Sequence, residues 1–86
     1  MPRYRNDIIK WRQEKLGKSN DAIERETGRS RNTVSRARAG KNLTVDALVA
    51  IAGSLGLDMR CLFDFKLPLA QAHRAVLRKA ENGGSR

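Results

Sequence analysis

Four glycines divide this chain, and each is followed within four residues by a side chain able to start a helix: Gly17 by Ser19, Gly28 by Ser30, Gly40 by Thr44 and Gly56 by Asp58. A glycine just past a helix takes the positive φ that closes its last turn, and Ser, Thr or Asp then accepts from the free N–H groups of the next helix. The alternation predicts short helices in series. The first is expected over about Asn6–Leu16, with Ile8, Ile9, Trp11 and Leu16 as its apolar positions. Ser19 or Asn20 caps a second over about Asp21–Thr27, and Ser30 a third over about Arg31–Ala39. Thr44 caps a fourth that runs through Leu55 with Leu48, Ile51, Ala52 and Leu55 as its buried stripe. Asp58 caps a short fifth helix carrying Met59, Leu62 and Phe63. After Leu67-Pro68 a last helix is expected over about Leu69–Ala80, ahead of a terminal NGGSR.

No run alternates apolar and polar residues as a half-buried strand would. The expected fold class is therefore all-α: a five-helix domain over residues 1–65, then a C-terminal helical extension and tail over 66–86. The 86 residues, 40% of them apolar, are enough for one modest core. The longest apolar run, Ala47 to Ala52, is six residues, against the roughly 20 that a membrane helix needs. The amino end has no apolar stretch of signal-peptide type, and Cys61 is the only cysteine, so a reducing cytoplasm is the expected setting.

Charge narrows the partners. Lys and Arg number 18 against 9 acids, a net +9. Residues 29–41 hold Arg29, Arg31, Arg36, Arg38 and Lys41 with no acid among them. Such a balance favours polyanions, nucleic acid before an anionic membrane. Val34 is the only large apolar residue of that run, too little for a helix lying in a membrane surface.

Two short helices joined by a glycine turn, the second Ser-capped and Arg-rich, are the sequence outline of a helix-turn-helix. Ala22, Ile23, Val34 and Ala37 can form the seam between the two helices. Arg31, Asn32, Ser35 and Arg36 then face outward, as a helix entering a DNA major groove requires.

From about Ile8 to Phe63, roughly two-thirds of its length, the chain resembles the Cro/CI-type (XRE family) helix-turn-helix domain of phage and bacterial repressors. The resemblance is carried by Gly17-x-Ser19, Ile23, Gly28-x-Ser30-Arg31-x-Thr33-Val34-Ser35-Arg36 and Gly40-Lys41. It continues through Leu43-Thr44-x-x-x-Leu48-x-x-Ile51-Ala52-x-x-Leu55-Gly56-Leu57. Glu24, Arg29, Lys18 and Arg12 depart from the family pattern; Glu24 could pair with Arg25, Arg29 or Arg36. The resemblance implies base contacts from Arg31, Asn32 and Arg36, and base or backbone contacts from Thr33 and Ser35. It implies phosphate contacts from Asn20, Ser30, Arg38, Lys41 and Asn42. The implied protein is a nucleoid-associated regulator of double-stranded DNA, most simply a repressor occupying an inverted-repeat operator. Asp21 and Glu24 resemble the acidic patch with which some relatives touch RNA polymerase, although stabilisation of the helix dipole is the favoured account of them.

One recognition helix reads only a few base pairs, so a homodimer is expected. Leu69, Ala72, His73, Val76 and Ala80 form an apolar stripe at helical spacing, which makes Leu62, Leu69, His73 and Val76 the candidate dimer interface. The alternatives are that this helix folds back on its own core or that the basic tail only adds phosphate contacts. With one histidine and one cysteine, no ordinary four-ligand metal site can form within the chain. No nucleophile-elbow glycines accompany the serines, and neither enzymatic activity nor a cofactor is expected. The alternatives are an excisionase-like architectural DNA-binding factor or an antitoxin on the same fold, and, from another class, a protein- or RNA-binding adaptor. The charge of residues 29–41 opposes a protein interface, whose core is depleted in charge. Four aromatics, Tyr4, Trp11, Phe63 and Phe65, are few for stacking on RNA bases.

Overall fold

The computed structural model describes residues 3–77. Its helices are α1 (Asn6–Leu16), α2 (Asn20–Thr27), α3 (Arg31–Ala39), α4 (Val45–Leu55) and α5 (Met59–Leu62), followed by a 3₁₀ segment at Leu69–Ala75. There is no strand among the described residues; one isolated antiparallel bridge joins Leu57 to Val76. None of these helices is long and apolar enough to cross a membrane. The described chain is thus all-α, with α2, α3 and α4 bounded by the expected caps and glycines. α1 starts without a side-chain cap, and α5 ends at Leu62, one residue before the Phe63 expected within it.

The caps are local chemistry. Ser19, Ser30 and Thr44 accept from the backbone N–H groups of Ala22, Thr33 and Ala47, and Asp58 from Arg60. Ser19 is therefore the cap of α2, and Asn20 its first residue. At Gly28, φ is +72°, a left-handed conformation that turns α2 into the three-residue connection to α3 and that a side chain would strain.

Ile8 and Ile9 of α1, Ile23 of α2, Val34 and Ala37 of α3, and Leu48, Ile51 and Leu55 of α4 meet in one core. Trp11 is half-buried against it, and Leu16, at the end of α1, is 41% exposed rather than packed. α1 packs on α3 and α4, and α2 on both α3 and α4. Polar side chains tie the helix ends. Arg12 Nε donates to Leu55 O at 2.9 Å. Lys18 Nζ reaches Glu26 at 2.7 Å and Ser54 O at 2.6 Å. Arg12 and Lys18 thus link α1 and the following turn to α2 and α4.

The C-terminal part differs from expectation. Leu69–Ala75 is 3₁₀, interrupted by a non-helical Gln71, and ends in an extended Val76 instead of continuing as an α-helix. Residues 78–80 of the expected helix, Ala80 of its apolar stripe among them, lie outside the described residues. At three residues per turn, Ala72 and Ala75 share a face, and both are buried against α1 and α5. His73 and Leu69 are exposed. The backbone explains why helix gives way at Val76: Asp58 N–H donates to Ala75 O at 2.5 Å and Leu77 N–H to Gly56 O at 2.8 Å. These bonds and the Leu57–Val76 bridge require an extended chain there.

The candidate dimer interface is corrected accordingly. Leu62 is fully buried in its own core and Val76 half-buried, so of the four expected interface residues only Leu69 and His73 are exposed, and they lie on a 3₁₀ segment rather than on an α-helical stripe. Nor does packing divide the molecule at residues 65 and 66, since Leu67, Ala72 and Ala75 belong to the core cluster of α1–α5.

Candidate nucleic-acid interface

α3 buries one face and exposes the other. Val34 and Ala37 are 1% and 0% exposed, while Arg31, Asn32, Ser35 and Arg36 are all exposed, and no acidic residue lies on the helix. Ile23 supplies the opposing buried surface from α2, with Ala22 half-buried beside it. The four outward side chains span the first turn and a half, where the turn at Gly28 leads the chain into the helix.

The two ends of α3 are held differently. At its start Ser30 Oγ accepts from Thr33 N–H at 3.2 Å and lies 3.0 Å from Thr33 Oγ1, so these two hydroxyls are turned toward each other. At its end, where Gly40 and Lys41 N–H groups close the last turn, the amino-terminal segment adds further donors to the carbonyls. Tyr4 Oη donates to Lys41 O at 2.7 Å and to Arg36 O at 3.3 Å, and Asn6 Nδ2 donates to Arg38 O at 2.9 Å. Tyr4 is itself buried, which pushes its phenol above the ordinary value against the opposing pull of the Arg36 charge. Neither Tyr4 nor Asn6 was expected near the site. Their only sequence signal is position: polar residues ahead of the first helix or at its start, with nothing local to bond.

The two leading arginines each have a partner. Arg31 Nη2 forms an ion pair with Asp21 Oδ1 across the α2–α3 crossing, and both side chains remain at least half exposed. Arg36 Nη2 donates to Asn42 O at 2.7 Å, which ties the helix to the loop behind it. Asp21 is thus engaged within the site, whereas among the described residues no ion pair joins Glu24 to Arg25, Arg29 or Arg36.

A hollow of about 490 Å³ opens at the start of α2, lined by Gln13, Ser19, Asn20, Asp21, Arg31 and Arg38 among others. Gln13, 5% exposed, donates Nε2 to Asn20 Oδ1 at 2.7 Å. Its Oε1 and the Arg38 Nε are buried with no hydrogen-bond partner among the described residues. The fold therefore brings Asn20 and Arg38 together, from opposite ends of the α2–α3 pair. Gln13 escaped the sequence reading, although it stands four residues after Ile9, on the face of α1 that turns inward. Lys41 and Asn42 follow α3 as exposed residues.

The arrangement is an exposed basic helix face with directional donors in its first turn and a half, with Asn20 and Arg38 at one hollow beside it and Lys41 and Asn42 exposed after it. Comparison of the chain with family models, with curated proteins and with solved structures returns no match.

Proposed function

We propose that this chain is a sequence-specific, double-stranded-DNA-binding transcriptional regulator with a Cro/CI-like helix-turn-helix, formed by α2 and α3. The observation that carries the reading is the exposed quartet Arg31, Asn32, Ser35 and Arg36, on a helix whose other face is buried against α2. A helix so braced fits the roughly 12 Å major groove. Arg31 and Arg36 can each offer two N–H groups to guanine O6 and N7, and Asn32 can pair with adenine N6 and N7. Ser35 lies between them, within reach of a base edge or a phosphate.

The flanks supply the backbone contacts that set register. A phosphate at the hollow by the start of α2 would lie beside Asn20 and the Arg38 side chain. Lys41 and Asn42 grip the strand on the other side. Ser30 and Thr33 serve mainly to start the helix. Two copies on an inverted repeat would define a site long enough for a genome, and occupancy of a promoter gives repression.

Selection from a pool of random duplexes, followed by footprinting, tests the reading. A pseudo-palindromic site holding two chains is expected. Arg31→Ala and Arg36→Ala should each lose about 1–3 kcal/mol of discrimination at defined base pairs. Lys41→Ala should weaken binding to every sequence alike and reduce the salt slope by about one. Equal losses on selected and random DNA for both arginine variants would overturn the assignment of α3. Directly repeated sites with strong bending would point to the architectural role instead.

A further inference from the structure

We propose that Asp21 is a specificity-determining residue: it positions the Arg31 guanidinium for base reading and restrains it from sequence-independent capture by phosphate. The inference rests on the DNA-binding reading of α3 and names a part of that site which the reading does not itself require.

The ion pair makes little sense as a source of stability. Arg31 and Asp21 side chains are 65% and 50% exposed, and pairs so hydrated contribute little to folding. The carboxylate is nevertheless set where it acts on one particular cation. It reaches across from the first turn of α2 to the first residue of α3, the leading edge of the exposed quartet. Arg36, one turn on, is held by the neutral Asn42 carbonyl instead. The two reading arginines therefore differ in the charge of what orients them.

Two consequences follow for Arg31. A long side chain free in solvent samples many rotamers and loses that freedom on binding; one held by Asp21 has less to lose. The contact is made through Nη2 alone, which leaves the second N–H of that nitrogen, together with Nε or Nη1, for a two-point contact with guanine by a guanidinium whose plane is anchored on one side. The Asp21 charge also opposes part of the Arg31 charge. Attraction to phosphate depends chiefly on net charge, whereas the bidentate bond to a base edge depends on geometry, so phosphate capture is weakened more.

Asp21→Asn tests this, since it removes the charge, keeps the shape and retains a residue tolerated in a first helical turn. Preference is read base pair by base pair on the site selected by the wild-type chain, with thermal melts to verify folding. Asp21→Asn should lose about tenfold of preference at the base pair where Arg31→Ala loses it, and none elsewhere. In an Arg31→Ala background the same change should leave the remaining base preferences untouched. Affinity for random duplex should rise in the single variant, with a salt slope steeper by about one. Intact preference in Asp21→Asn, or an equal loss at every base pair, would overturn the proposal even if the salt slope changed. A wild-type chain that selects no sequence would instead overturn the DNA reading, and this proposal with it.

Discussion

Arg5 carries a charge into the interior and finds a partner for each edge of it. Its Nη1 donates to Asp64 O and Leu67 O, both at 2.7 Å, while Nε and Nη2 grip the two oxygens of Asp7 at 2.9 and 2.8 Å. The hydrogen bond from Arg5 holds the Asp7 carboxyl below its ordinary value, helped by the charge of the same group and opposed by burial. Arg5→Ala should cost about 2–4 kcal/mol, because it strands two carbonyls that the fold has withdrawn from water. For Asp7 the folded value is depressed, so its contribution is complete above the unfolded carboxylate value of about 3.9 and is lost as pH falls through the folded one. Denaturant titrations of wild type and Asp7→Asn should therefore differ near neutrality, with the difference shrinking only as pH falls from about 4 through the lower folded value. At this scale the sequence was partly opaque. Ser30 and Thr44 announce themselves because their partners lie three residues away, whereas the Arg5 partners lie 59 and 62 residues on.

Among the elements, α4 is the apolar wall on which α1, α2 and α3 close. Leu48 and Ile51 are both fully buried there, at a spacing of three that one helical face accommodates. Truncating either to Ala should cost about 2–5 kcal/mol, readable as a lowered melting temperature, which is a large share of the stability of a domain this small. Its opposite face, with Val45 and Val49 about half exposed, should tolerate polar replacement. The boundaries of α2, α3 and α4 were legible because a capping side chain and a closing glycine are local signals; α1 has only the glycine and α5 only the cap. The last helix was not, because no such pair brackets it. Pro68 begins the segment, but what ends it is a backbone pairing with Gly56 and Asp58.

For the molecule as a whole, residues 66–77 belong to the same body as the helices that precede them. Leu67, Ala72 and Ala75 are buried, and Arg5 reaches across to the Leu67 carbonyl. Truncation after Lys66 should therefore lower the melting temperature sharply, rather than produce a stable monomer. A shortened chain that melts like the full one would show that this segment contributes nothing to the core.

The helix sequence, its caps and the polar outer face of α3 follow from the sequence by itself. Each depends on contacts within about one helical turn, which residue spacing records directly. The tertiary structure alone decided three things. It brought Asn20 and Arg38 to one hollow, it set Asp21 against Arg31, and it turned the C-terminal stripe into a 3₁₀ segment with a different buried face. The last case shows the reason most plainly. Apolar spacing reports the face a segment buries only once the helical period is known, and here the period was settled by distant backbone groups: the carbonyl of Gly56 and the N–H of Asp58, which hold Ala75 through Leu77 in place.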